Sequence, residues 1–260
     1  MPELPDVEVF ARNLNKVFAH RKLKKLKVVN GKKLPDTARA LSAALEGKIL
    51  NRIFRSGKEF RFAFEDGTQL GLHLMLTGDL FLFEQKNDHH STIAEFYFDG
   101  QTNLALTDRM HNAWIKLDPV DRPGVDALQL DYPCLKKIFN RKTTVKNILL
   151  DQDLIRGIGN GYSDEILWES RVSPYSIASA IPDEKIKELV TIIPKVLNEA
   201  IRKIDQAYPG KINDEVKEFL IIHRKENALS PTGRPISVDT KGSRKTYYTD
   251  EQVLYGKAAG

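Results

Sequence analysis

One cysteine, Cys134, is all the thiol chemistry this chain carries. A lone thiol closes no internal disulfide and builds no cluster of thiolate ligands, which excludes a disulfide-stapled scaffold and a cysteine-based zinc module. Long apolar runs are missing too: stretches such as residues 80–83 fall far below the roughly 20 residues of a membrane-spanning helix. The start, Met1-Pro2-Glu3-Leu4-Pro5-Asp6, is acidic and rich in turn formers, the reverse of a secretory leader. There are no internal repeats and no low-complexity tracts. These absences leave an ordinary globular composition, 41% hydrophobic over 260 residues, with room for two compact domains and a cytoplasmic setting expected.

Basic residues are in mild excess. Forty Lys and Arg stand against 35 Asp and Glu, a net charge of +5 and a pI near 9.1. An excess this small permits a polyanionic partner without demanding one. Its distribution says more, because Lys and Arg gather at 21–33, 136–146 and 241–245. Three separate clusters suit a surface that follows a phosphate backbone better than a single basic tail does.

Hydrophobic periodicity divides the chain. Val7, Phe10, Ala11, Leu14 and Phe18 fall at helical spacing, and a second short helix is expected at 38–45. Phe60, Phe62 and Phe64 alternate with Arg61 and Ala63 ahead of the turn pair Asp66-Gly67. Strand-like runs follow near 69–75, 80–84, 93–98, 103–107 and 113–117, and many short strands with close turns predict an antiparallel sandwich. Near 119–123 the pattern changes. Helical spacing dominates at 142–150, 161–170, 183–205 and 213–222, with Pro194 expected to kink the third, and short β-type runs return at 235–238 and 245–248. The fold class is therefore α+β. An N-terminal antiparallel β-sandwich with flanking helices is expected over 1–125, and a helical domain over 126–260 ending in a β-hairpin at about 225–255.

Two stretches carry chemistry. Removal of Met1 would leave Pro2 with a secondary amine, and an α-amine titrates at roughly pH 8, well below lysine. Attack of such an amine on a sugar C1′ gives an iminium directly, and the adjacent Glu3 is placed to move protons. On its own the tetrapeptide reads better as a disordered start with two prolines. The second stretch runs from Lys142-Thr143-Thr144-Val145-Lys146 through Asp151-Gln152 to Gly157-Ile158-Gly159-Asn160-Gly161-Tyr162-Ser163-Asp164-Glu165. It predicts a helix, two tight turns and a second helix whose N-terminus at 160–162 faces a phosphate.

With Arg55-Ser56-Gly57-Lys58 on a β-hairpin and Gly242-Ser243-Arg244-Lys245-Thr246 near the end, these stretches make the chain resemble the formamidopyrimidine-DNA glycosylase/endonuclease VIII family. The anchors keep the family's order from residue 2 to about 252, nearly the whole chain. The resemblance implies a bifunctional DNA glycosylase and AP lyase of base-excision repair. It makes Pro2 the Schiff-base nucleophile and Glu3 its proton-transfer partner, and it puts Lys58 on the phosphates beside the lesion. Asn160 and Arg244 would grip those phosphates, and Glu165 would lie near the catalytic amine. Leu76, in the loop 73–78, would wedge into the gap left by the extruded nucleotide. Arg109 and His111, in the loop 107–112, would complete the plug, His111 standing where phenylalanine is usual. The implied partner is damaged double-stranded DNA, held by a monomer in the cleft between its domains. No cofactor and no membrane are implied, and the setting is the cytoplasm, with the nucleoid.

The chain departs from the family pattern in its finger. Typical bacterial relatives carry four zinc-binding cysteines there, and the corresponding positions are Leu229, Thr232, Tyr248 and Glu251. That set cannot bind zinc tetrahedrally, so no metal is expected and packing, with Tyr247 and Tyr248 as anchors, must hold a zincless finger. Asp6 stands where relatives usually carry glutamate, a mild change at a helix start. Relatives specialised for 8-oxoguanine fold a long loop over the extruded base, whereas here only 207–211 separates a helix ending near 206 from the helical stretch 213–222. The rival reading is a non-catalytic damaged-DNA-binding protein, against which the retention of Pro2, Glu3 and Lys58 argues. A purely structural two-domain protein explains neither the turn motif nor the terminal arginine.

Overall fold

The computed structural model describes residues 1–242 and 244–256; Ser243 of the terminal motif lies outside the described residues. Tertiary contacts divide the chain into two units. One is Met1–Asp121 with Ile204–Glu215, the other Arg122–Lys203 with Val216–Gly260. Among the described residues no helix is long and apolar enough to cross a membrane.

The first unit opens with helix α1 (Leu4–Phe18), started by a capping box in which Glu3 accepts from the Asp6 amide and Asp6 accepts from that of Glu3. Its inward face, Leu4, Val7, Phe10, Leu14 and Phe18, is fully buried. Two four-stranded antiparallel sheets follow. The first has the order β1 (Leu23–Val28), β6 (Thr92–Phe98), β7 (Asn103–Asp108), β5 (Gly78–Phe83). The second has the order β2 (Leu50–Ser56), β3 (Glu59–Phe64), β4 (Gln69–His73), β8 (Trp114–Leu117). Phe62 and Phe96 stack between them with centroids 6.0 Å apart, inside the sandwich core. α1 packs on β2, and α2 (Ala38–Leu45) on β1.

The second unit contains α3 (Tyr132–Phe139), α4 (Val145–Leu150), α5 (Asn160–Glu169) and α6 (Asp183–Ala207), whose tail from Ile204 belongs to the first unit. A short parallel pair joins β9 (Val125–Asp126) to β10 (Ile155–Arg156), and an antiparallel hairpin joins β11 (Ser237–Lys241) to β12 (Arg244–Tyr248). The fold class is α+β.

The helix expected over 213–222 is absent, and that expectation is corrected. Asp214 sits at φ 56°, in the left-handed region that ends regular helix. The amides of Ile221, Ile222 and His223 donate to the Glu165 carboxylate rather than to preceding carbonyls. α3 was not anticipated; Asp131 caps it by accepting from the Cys134 amide at 2.8 Å. α6 runs helical through Pro194.

Candidate functional site

In the first unit the N-terminus is held at the head of α1. Pro2 and Glu3 are buried, and the terminal ammonium of Met1 pairs with Glu215 at 2.9 Å. With Met1 in place the Pro2 nitrogen is an amide and has no nucleophilic lone pair. The β2–β3 hairpin turns on Gly57 and Lys58, since Ser56 pairs with Glu59 and Gly57 takes φ 58°, the geometry of a two-residue turn with glycine first. Arg55 ties this hairpin to α1 by donating to Glu8 at 2.8 Å and to the Gly57 carbonyl at 3.1 Å. Glu8 is the fifth residue of α1, so the pair ties the Lys58 turn to the N-terminal half of the helix, with the lysine itself buried.

Two loops project from the same unit. Leu76, in the turn after β4, is 62% exposed, while its neighbour Leu74 is buried. Asp108, itself buried, organises the other loop. Its carboxylate accepts from the Thr77 hydroxyl and from the amides of Met110, Asn112 and Ala113 at 3.0, 2.7 and 2.7 Å. Burial alone would raise the Asp108 pKa, but these donors outweigh it and hold the carboxyl below its ordinary value. Arg109 is exposed at the loop tip. His111 adopts φ 51° and its Nδ1 lies 3.2 Å from the Asn30 amide nitrogen, half-buried. Met110, which sequence reasoning passed over, is 49% exposed beside Arg109. The loop thus presents one cation and one flexible apolar side chain, with Leu76 as a second exposed apolar group.

In the second unit the two turns between α4 and α5 are closed by Gln152. It accepts from the Gly157 amide at 2.9 Å and donates to the carbonyls of Leu150 and Ile158. Gly157 takes φ 104°, a conformation that favours glycine. Asn160 then begins α5, its amide nitrogen donating to the Lys245 carbonyl at 2.9 Å while its Oδ1 is buried without a partner. Arg244 is exposed at the start of β12, and Asn160 is joined directly to the next residue of that strand, Lys245. A groove of about 830 Å³ runs along this junction, lined by Thr144, Lys146, Asn147, Lys241, Arg244 and Thr246 among others.

Two buried acids anchor this unit. Asp164 has no exposed surface; it accepts from Lys146 at 2.6 Å and from the Tyr247 amide at 2.9 Å, and lies 2.7 Å from His223 Nδ1. Glu165 accepts three amides at 2.8 to 3.0 Å, and burial raises its pKa despite them. In this unit the Glu165 carboxylate fixes the chain after α6. Behind both, Trp168, Ile222 and Tyr247 form a small apolar cluster with Ile236 against it. Neither Asp108 nor Asp164 drew attention in the sequence. Only the acidic residue inside the Tyr162–Glu165 stretch hinted at the second.

Comparison with known proteins agrees along nearly the whole chain. The model for the formamidopyrimidine-DNA glycosylase N-terminal domain matches residues 1–112, and the model for the formamidopyrimidine-DNA glycosylase H2TH domain matches residues 123–208. A formamidopyrimidine-DNA glycosylase from Solibacter usitatus is 33% identical over 247 residues, covering 90% of each chain. One from Ligilactobacillus salivarius is 29% identical over 271 residues, 95% of this chain and 97% of its own. The fold also matches the Lactococcus lactis Fpg solved in complex with abasic-site DNA, with a TM-score of 0.84, 22% identity and coverage of 95% and 97% of the two chains.

Proposed function

The chain belongs to the formamidopyrimidine-DNA glycosylase family, and from that membership we propose that it removes oxidised or ring-opened bases and then cuts the strand, as a bifunctional DNA glycosylase and AP lyase. Its partner is damaged double-stranded DNA, contacted by both units of a monomer, in the cytoplasm with the nucleoid. One observation carries the catalytic reading: the buried Pro2-Glu3 start is fixed by a capping box, and the Lys58 turn is tied to the same helix through Arg55 and Glu8.

The chemistry follows from that arrangement. Loss of Met1 converts the Pro2 nitrogen from an amide into a secondary amine. That nitrogen bonds to C1′ as the bond from C1′ to the damaged base breaks, and the base departs with a proton. Glu3 protonates the ring oxygen, the sugar opens, and the nitrogen lone pair forms an iminium. The iminium withdraws electrons from C2′, so loss of a C2′ proton expels the 3′ phosphate. A second elimination expels the 5′ phosphate, and hydrolysis frees Pro2. Lys58, Asn160 and Arg244 hold the phosphates. Leu76, Arg109 and one of Met110 or His111 occupy the gap left by the extruded nucleotide, an apolar wedge of the kind that offsets unstacking.

Incubation with duplexes carrying an abasic site or a ring-opened purine tests this. The expected products are strands ending in phosphate on both sides of the gap. Tight lesion-specific binding without cleavage would instead identify a non-catalytic damage-binding protein.

A further inference from the structure

The family's zinc does not fit this finger. Of the four corresponding positions, Leu229 is an exposed hydrocarbon, Tyr248 donates its hydroxyl to Asp239, and only Thr232 and Glu251 offer oxygen toward one another. Among the described residues no group of three or more His, Cys, Asp or Glu is placed to hold a metal ion. Glu251 nevertheless sits at a node of the same connectivity. Its carboxylate accepts from the Thr232 hydroxyl at 2.7 Å and the Ser230 hydroxyl at 3.2 Å, both on the chain leading into β11. It accepts from the Thr249 hydroxyl at 3.1 Å, on the chain leaving β12, and from the Trp168 indole at 3.3 Å, on α5. Arg171, just past α5, completes the set with an ion pair at 3.2 Å. The Thr232 hydroxyl above all, with the Trp168 and Thr249 donors and the Arg171 charge, outweighs the cost of burial and holds the Glu251 carboxyl below its ordinary range. A zinc finger joins both feet of a hairpin through one cation with four anionic or imidazole ligands. Here one anion with hydroxyl and indole donors and a guanidinium counter-charge joins the same two feet and adds a third attachment, to the helix.

We propose that Glu251 is the positioning residue of the finger, a carboxylate cross-link in the place of a metal, which fixes β12 on α5 and so sets where Arg244 meets the DNA phosphate. The proposal rests on the reading of Arg244 as a phosphate contact. Its geometry is independent of that reading, because the donors converge on Glu251 whatever the hairpin binds. Charge-assisted hydrogen bonds are the strong ones, and several on one carboxylate leave little freedom at the base of a short hairpin.

The test uses the full chain, a duplex carrying a tetrahydrofuran abasic analogue, and amide hydrogen exchange. Glu251→Ala should speed exchange across 237–248 while leaving the amides of the first unit unchanged. It should also weaken binding by about tenfold, the loss of one charged hydrogen bond to the duplex. In an Arg244→Ala background the same substitution should cost nothing further. Glu251→Gln, which keeps an acceptor oxygen for Thr232 and loses the charge facing Arg171, should fall between and guards against a chain that fails to fold. Replacing all four positions, Leu229→Cys, Thr232→Cys, Tyr248→Cys and Glu251→Cys, should restore binding only when zinc is added. Unchanged exchange in the hairpin would overturn the cross-link. An additive loss in the Arg244→Ala background would overturn the positioning role. A silent Arg244→Ala together with faster exchange would support the cross-link and remove Arg244 from the interface, which separates the two failures.

Discussion

Asp164→Ala should cost the second unit far more than a surface substitution. The carboxylate is wholly buried and touches three elements: Lys146 on α4, the Tyr247 amide on β12, and His223 on the chain after α6. Removing it takes away the carboxylate 2.6 Å from Lys146, which is 8% exposed and also meets the Thr246 hydroxyl and the Lys245 carbonyl. Breaking a buried pair from one side costs about 3–5 kcal/mol. The stranded Tyr247 amide belongs to the same loss, at about 1–3 kcal/mol if counted alone. Taking about 4 kcal/mol in total, the melting of this unit should fall by about 10–15 °C. Two units give reason to expect two calorimetric transitions, so the shift should appear in one of them. The pair variant Lys146→Met with Asp164→Leu should recover part of the loss, because it buries no unpaired charge. A loss below about 1 kcal/mol for Asp164→Ala would show that the carboxylate does not anchor the unit, as would a pair variant whose cost equals the sum of its parts.

Arg244→Ala should lower the slope of log binding constant against log salt by about one, measured by titration at several salt concentrations. In the projecting loop, Asp108→Asn should free the amides of Met110, Asn112 and Ala113 to exchange and weaken duplex binding. Because the folded Asp108 pKa is depressed, its contribution is complete above the unfolded value near 4 and is lost as pH falls through the lower folded one, so amide exchange should show the loop loosening only in acid. Lesion choice can be argued from anchors. Residues up to Asp214 are held in the first unit through Asn13 and Asp79, contacts that do not depend on Met1, and Ile221–His223 are held by Glu165 in the second. Only 215–220 lie between these anchors, too few to make a lid with many contacts to a base edge. Single-turnover assays should therefore show good excision of ring-opened or ring-saturated bases and slow excision of 8-oxoguanine. Equal rates would show that a lid is not needed.

Periodicity revealed the parts of this fold whose side chains repeat without interruption. α1, α2 and the Phe60, Phe62, Phe64 strand are legible for that reason. β1 and β2 are not. Each carries a register shift, between Leu23 and Lys25 and between Leu50 and Arg52. The extra residue puts the buried positions three apart, Leu23 with Leu26 and Leu50 with Ile53, a spacing that imitates a helix. The 213–222 segment fails in the opposite sense, because a helical pattern is overridden by Asp214 and by the Glu165 carboxylate. The same limit applies to the site. Pro2, Lys58, Asn160 and Arg244 are proposed from short motifs. The acids that hold their surroundings, Asp108, Asp164 and Glu251, gather donors from distant parts of the chain, and no local spacing announces that. His111 shows it at the scale of one residue: the family pattern points to it, while the structure tethers it to Asn30 and leaves its neighbour Met110 exposed.

In the proposed mechanism the N-terminal proline nitrogen performs the chemistry. Borohydride trapping on an abasic-site duplex, followed by peptide mass mapping, tests it directly. A covalent adduct is expected on the peptide beginning at Pro2, with no adduct when an extra residue precedes Pro2 and weaker turnover for Pro2→Gly. An adduct on a lysine, or full lyase activity in the N-terminally extended protein, would contradict it.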